Sequence, residues 1–242
     1  MRVQFIGTGQ LATKRRCTSF VVNGSVLFDI GCGTVEGLLA NGLDVGDIKV
    51  LVISHFHADH FGDIVYFLHR RNMQGHTDKM LTIIGPWGLQ KKVIDFNNLL
   101  FGDIRDYSDM ATKWNIRFIE LADGANLDMG SFEIEVFKVI HGTLDANGYI
   151  IRSGKTAVGY TGDACMSDNL MDKIPDAKYW IMDANEIMRQ EGRHLGFSEL
   201  IGIAEMYKSI IFYAVHRNDY DISSSTQINL FCPLDNEEFV AK

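Results

Sequence analysis

The segment that most constrains this 242-residue chain is a strand-like run that passes straight into a cluster of histidines. Residues 48–53, IKVLVI, are apolar at all but one position, as expected of a strand covered on both faces. Ser54-His55-Phe56-His57-Ala58-Asp59-His60 follow at once. In extended backbone, residues two apart share a side, so His55 and His57 can grip one ion together. Where the chain turns into the next helix, Asp59 and His60 can face a second ion beside the first. Imidazoles and a carboxylate packed this densely make poor core, because each would need its own polar partner. The donor set suits zinc, with manganese or iron as alternatives, and it leaves positions for water.

Further ligands stand at other strand ends. His141 follows the strand-like run 131–140, Asp163 follows 155–160 in Gly159-Tyr160-Thr161-Gly162-Asp163, and His216 follows 210–215. His194 occupies a comparable position. His69 and His76 have no such context and read as surface residues.

The remaining pattern alternates short strands with helices. Strands are expected at 2–6, 18–22, 25–30, 48–53, 80–84, 114–121, 131–140, 148–152, 155–160, 179–183 and 210–215, with one or two more in 227–241. Helices are expected at 34–40 behind a threonine cap, at 61–72, at 86–101 with Pro86 in the first turn, and at 167–173 and 197–208. Asn23-Gly24 is a hairpin signal. Strands and helices occur in both halves, which predicts an α/β (α+β) chain of two packed mixed sheets with helices outside. With no linker-like tract, residues 1–242 are expected to form a single domain.

Composition bounds the partners. No apolar run reaches the length of a membrane span, and the start of the chain alternates like a strand rather than a secretory signal. Four scattered cysteines without a C-x-x-C pair suit reduced thiols and a cytoplasmic location. Lys and Arg number 23 against 31 Asp and Glu, a net charge of −8, which does not favour nucleic acid. Lys14-Arg15-Arg16 and Arg70-Arg71 are the candidate basic patches, with solvated surface charge the plainer reading.

The run H-x-H-x-D-H with a later His, Asp and His resembles the metallo-β-lactamase superfamily, and most of all its RNase Z and small-phosphodiesterase branch. Supporting segments are Phe5-Ile6-Gly7-Thr8-Gly9 leading into residues 13–19, Phe28-Asp29-Ile30-Gly31-Cys32-Gly33-Thr34, Tyr160-Thr161-Gly162-Asp163, and Val215-His216-Arg217-Asn218-Asp219-Tyr220. The resemblance implies a four-layer αβ/βα sandwich and two divalent ions. His55, His57 and His141 would bind one ion, Asp59, His60 and His216 the other, and Asp163 would bridge them. Asp29 would support the ligand loop. His194 lies where that branch carries a histidine near the scissile phosphate, and Asp183 where it carries a glutamate that orients this histidine. Asp59, His194 and Asp183 are thus the catalytic candidates. No Gly/Pro-rich insertion of the kind that grips tRNA interrupts the chain. The expected enzyme is a dinuclear phosphoric diester hydrolase acting on a small phosphodiester or RNA, possible as a homodimer by analogy with the branch. Alternatives are hydrolysis of a lactone, thioester or other carbonyl substrate, or an iron-dependent oxidoreductase.

Overall fold

The computed structural model describes residues 1–104, 106–188, 192–219 and 229–242. The first sheet is built from β1 (Arg2–Gly7), β2 (Ser19–Val22), β3 (Val26–Phe28), β4 (Val50–Val52), β5 (Leu81–Gly85) and β6 (Ile116–Glu120). Its helices are α1 (Thr34–Ala40), α2 (Ala58–Phe61), α3 (Ile64–Met73), α4 (Leu89–Phe101) and α5 (Met110–Lys113). The second sheet contains β7 (Asn126–Asp128), β8 (Glu133–Val139), β9 (Ala146–Ser153), β10 (Thr156–Tyr160), β11 (Tyr179–Asp183), β12 (Ile211–Val215) and β13 (Leu230–Phe231), with helices α6 (Asp168–Lys173) and α7 (Phe197–Met206). The last strand, β14 (Glu238–Val240), returns to pair with β1.

The strand orders are β14-β1-β2-β3-β4-β5-β6 and β13-β12-β11-β10-β9-β8-β7. Strands β3 to β6 run parallel, as do β10 to β13, and the other neighbours are antiparallel. Strand β4 explains its own composition. Leu51 packs with the helices of the first sheet, whereas Val50 and Val52 pack between the sheets. Neither face meets water, so a continuous apolar run is required. A third cluster joins the outer face of the second sheet to α6 and α7 around Trp180, Leu170 and Leu200. The result is the expected four-layer sandwich.

Several local expectations are corrected. The helix expected over 61–72 is broken into α2 and α3. The His60 carbonyl accepts from the Ile30 amide, and the Asp63 amide donates to the Ile30 carbonyl, both within 2.9 Å. A distant segment thus takes the hydrogen bonds that would have joined the two helices. The helix expected from Pro86 begins only at Leu89, because Gly88 adopts φ 83°, a left-handed conformation that ends helical geometry. The Glu120 carboxylate caps it, accepting from the amides of Gly88 and Gln90. Thr34 does not cap α1: Gly33 holds the cap position, and the Thr34 hydroxyl donates to Ser19 Oγ at 3.0 Å. Strand β7 and helix α5 were not expected. Residues 227–228 of the expected terminal strand lie outside the described residues. The Asn23-Gly24 hairpin is present, with φ of 48° and 70° and the Ser25 amide on the Val22 carbonyl, as a two-residue turn requires. No helix among the described residues is long and apolar enough to cross a membrane.

Neither basic run is a free patch. Arg71 is buried and donates to the Lys79 carbonyl at 2.6 Å, tying α3 to the loop before β5. Arg16 donates to the Ile6 carbonyl, and Arg15 to the Arg217 carbonyl. Close packing also sets one glycine. A Cβ on Gly159 would lie 2.5 Å from the indole of Trp180, which is fully buried and donates to the Ile174 carbonyl. Gly159→Val is expected to cost about 1–3 kcal/mol through overpacking, measured as a lower urea midpoint at unchanged slope.

Candidate metal centre

The ends of the parallel strands supply the site. Asp29 lies just beyond β3, and the His55–His60 run lies just beyond β4. Asp163 follows β10, Asp183 ends β11 and His216 follows β12. Strand β8 points the same way as β10 because each is antiparallel to β9, so His141 beyond β8 reaches the same rim. Open α/β sheets bind ligands beyond the carboxyl ends of their strands, and here two sheets present those ends to one cleft.

Three donor groups result, in each of which one atom per residue lies within 4.8 Å of the others. The first is His55, His57, His141 and Asp163; the second is Asp59, His60, Asp163 and His216. The third comprises Asp163, Asp183, His194 and His216. Asp163 belongs to all three. Its Oδ2 lies 3.8 Å from His55 Nε2 and 3.7 Å from His141 Nε2, and its Oδ1 lies 3.0 Å from His60 Nε2 and 3.4 Å from His216 Nδ1. Every sequence-expected ligand is therefore brought to one place, together with Asp183 and His194.

The chemistry of the cluster fits divalent metal. His55 Nε2 is buried with no hydrogen-bond partner, and His60 Nε2 and Asp163 Oδ1 are buried facing only each other at 3.0 Å, a costly arrangement for polar atoms. All three belong to the donor groups, where a cation would satisfy them. The opposite ring nitrogens are already held. His60 Nδ1 lies 2.7 Å from Asp29 Oδ2, His141 Nδ1 lies 2.7 Å from the Arg193 carbonyl, and His55 Nδ1 lies 3.1 Å from Ser54 Oγ. Such outer contacts fix ring orientation and tautomer.

Electrostatics divides the histidines into two sorts. Burial pushes the His55 ring well down, helped by His60 and His141, and burial with His141 lowers His57. Burial also opposes charge on His60, but the Asp163 and Asp29 carboxylates outweigh it and raise the ring well above the imidazole range. His216 is raised to about 10 against burial by Asp163, Asp183 and Asp59. Reciprocally, Asp59 is lowered to about 2 despite its burial, chiefly through its hydrogen bond with His216. His194 is raised, because its contact with Asp183, Nδ1 to Oδ2 at 2.8 Å, outweighs burial.

Several supporting residues escaped the sequence reading. Ser54 donates amide and hydroxyl to Asp29, and the Tyr160 hydroxyl donates to the same carboxylate at 2.6 Å. Asn185 lies 3.1 Å from His216 Nδ1, and the Thr18 hydroxyl accepts the His216 amide. Gly31 is required by close approach: a Cβ there would lie 1.8 Å from the Asp59 carbonyl. Of the two histidines read as surface, His69 is instead packed between α3 and α4, stacked on Phe101 at 3.9 Å and paired with Asn97. His76 lies 2.9 Å from Asp44 at a partly exposed turn.

Curated proteins and solved structures similar to this chain bear on its family and fold. The chain is 29% identical over 213 residues to a protein named ribonuclease Z from Staphylococcus haemolyticus, covering 85% of this chain and 66% of that one. It is 27% identical over 201 residues to the ribonuclease Z of Staphylococcus aureus, covering 80% and 62%. It thus spans slightly less than two thirds of the length of these relatives. Among solved structures, the metallo-β-lactamase fold protein YhfI from Bacillus subtilis superposes with a TM-score of 0.75 at 19% identity, covering 98% of both chains. The short form of human tRNase Z superposes at 0.74 and 19%, covering 100% of both. The chain has the metallo-β-lactamase fold, and it belongs to the family described as anti-Pycsar protein Apyc1, whose model matches residues 1–231.

Proposed function

We propose that this chain is a metal-dependent phosphodiesterase working with two divalent ions, zinc first among the candidates. The observation that carries the reading is a pair of donor groups joined through Asp163, with His194 beside them and held by Asp183. His55, His57 and His141 would hold one ion and Asp59, His60 and His216 the other, with Asp163 between. Bound there, divalent ions supply an activated water and stabilise charge on phosphoryl oxygens. The names of the relatives support the choice of bond, as does the presence of a group able to protonate an alkoxide.

The protein's own groups do the rest. Asp59 accepts a hydrogen bond from the attacking water, orients it and takes up the proton that the water loses. The new P–O bond forms in line with the bond to the leaving oxygen, which breaks. His194, kept protonated by Asp183, stabilises the phosphoryl oxygens or gives its proton to the leaving oxygen. Asp183 acts as a positioning residue, since its Oδ2 also accepts the Ala164 amide and is fixed in place.

The reading is tested by assaying metal-quantified protein on bis(p-nitrophenyl) phosphate, cyclic nucleotides, a precursor tRNA and a lactone. Turnover of at least one phosphodiester but not the lactone is expected; lactone turnover alone would refute it. His194→Ala should lower kcat by about 10²–10⁴-fold, the range of a general acid, with metal content unchanged. The pH profile carries a sign. A histidine with raised pKa is a competent acid below that pKa and loses its proton as pH rises through it, so the alkaline decline should lie above the ordinary imidazole range. In His194→Ala that limb should disappear.

Asp29 offers an independent check on metal binding. Asp29→Asn keeps the shape but leaves His60 Nδ1 and the Tyr160 hydroxyl without their carboxylate. Metal affinity is expected to fall about 10–100-fold, measured by competition with a chelator. An unchanged affinity would remove Asp29 from the supporting role.

A further inference from the structure

The metal centre opens into a cleft whose two ends differ chemically. Beside the donor groups the wall includes Leu11, Ala58 and His194. Towards the second sheet this space shares His57 and His194 with a polar recess bounded by Thr143 and Arg193. Towards the first sheet it shares Ala58 with a separate cavity of about 390 Å³ between α2 and α4. Phe56, Phe61, Phe96 and Leu99 line that cavity. The cavity and the centre thus have Ala58 as a common wall, and the recess borders the centre at His57 and His194.

The cavity is built for a flat apolar group. Phe61 packs edge-on against Phe56 at 5.3 Å and face-to-face with Phe96 at 6.2 Å between centroids, so the rings form a preset wall. Lys92 Nζ stands 5.1 Å from the centre of the Phe56 ring. Asp95 also lines the cavity but pairs with the neighbouring Lys91, and Lys92 has no carboxylate partner among the described residues. A mostly apolar pocket with one placed donor is the usual composition of a small-molecule subsite. Leu99, 78% exposed, forms the outer lip.

We propose that this cavity is the subsite for an aromatic ring on one ester arm of the phosphodiester, with Lys92 donating to an acceptor on the ring edge. This rests on the phosphodiesterase reading for what is hydrolysed, whereas ring binding itself does not depend on turnover. A ring inserted here places its phosphate past Ala58, beside His57 and Asp59, and sends the second arm towards Arg193 and Thr143. The structure thereby assigns a direction to the substrate. It favours a substrate with one aromatic arm over one whose arms are both small alcohols.

The test compares phenyl p-nitrophenyl phosphate with methyl p-nitrophenyl phosphate, which share a leaving group and differ only in the retained arm. Metal-loaded protein is expected to prefer the phenyl ester by roughly tenfold in kcat/KM, the scale on which one apolar group discriminates. Leu99→Trp, which narrows the lip, should reduce that ratio towards one. In parallel, phenyl phosphate should shift the NMR signals of the Leu99 methyls and the Phe96 ring, and methyl phosphate should not. Equal rates for the two esters, or a preference that survives Leu99→Trp, would overturn the subsite while leaving the phosphodiesterase reading intact. Phenyl phosphate shifts confined to Leu11 and Leu144 would likewise overturn it. If neither ester is hydrolysed but phenyl phosphate still moves Leu99 and Phe96, the subsite stands and the reading of the reaction fails.

Discussion

The Asp29 carboxylate is the joint on which the rest of the site depends. It sits just beyond β3 in the first sheet, yet it accepts from Tyr160 on β10 in the second. It also accepts the amide and hydroxyl of Ser54, which fixes the start of the ligand run, and it faces His60 Nδ1. One buried side chain thus ties two sheets, the ligand loop and a metal-facing ring together. Removing it would leave several donors unpaired in the interior, each costing about 1–3 kcal/mol. Its backbone is strained to match, with φ 53°, a value His216 shares. Left-handed conformations at residues other than glycine and asparagine persist where the surroundings over-determine them, and Asp29 and His216 both stand at the centre.

That arrangement also explains how acidic groups survive at the heart of the fold. Asp29, Asp59, Asp163 and Asp183 are all buried, where an isolated carboxylate would be driven to its neutral form. Each faces at least one histidine nitrogen within 3.1 Å. In the metal-free chain, protons on His60 and His216 do the balancing. A divalent ion must displace those protons to reach the ring nitrogens, so binding competes with protonation and strengthens as pH rises. The site is therefore held open by charges that are exchanged rather than created when metal binds.

The clustered donors were legible in the sequence because each combines two signals: a residue type that is a poor core component and a place just past an apolar strand. Asp183 and His194 needed the family resemblance, and their 2.8 Å contact could not have been read from spacing alone. What remained hidden has no residue signature. The Arg193 carbonyl that orients His141 is backbone, and Tyr160 looks like any other strand aromatic until its hydroxyl meets Asp29. The break between α2 and α3 was invisible because its cause, the Ile30 backbone, lies thirty residues away in sequence, as the Ile30–His60 hydrogen bond shows. Lys92, Phe96 and Leu99 read as an ordinary amphipathic helix face, since nothing in α4 alone says that Phe56 and Phe61 stand opposite.

A net charge of −8 and an anionic substrate are compatible once distance is considered. Charges on the far surface are screened beyond about 8 Å at physiological ionic strength, so a phosphodiester at the cleft responds to the groups beside it. The four central carboxylates would be offset by the two divalent ions proposed here. Left over at the cleft are the protonated His194, Arg193 on the polar recess and Lys92 over Phe56. Among the described residues these cations are few and dispersed, whereas a polyanionic backbone is tracked by a continuous basic surface. Arg15, Arg16 and Arg71, which might have extended that surface, instead hold backbone carbonyls. Among the described residues, the balance of charge around the cleft therefore supports the proposed small phosphodiester substrate, recognised through its non-phosphate arm.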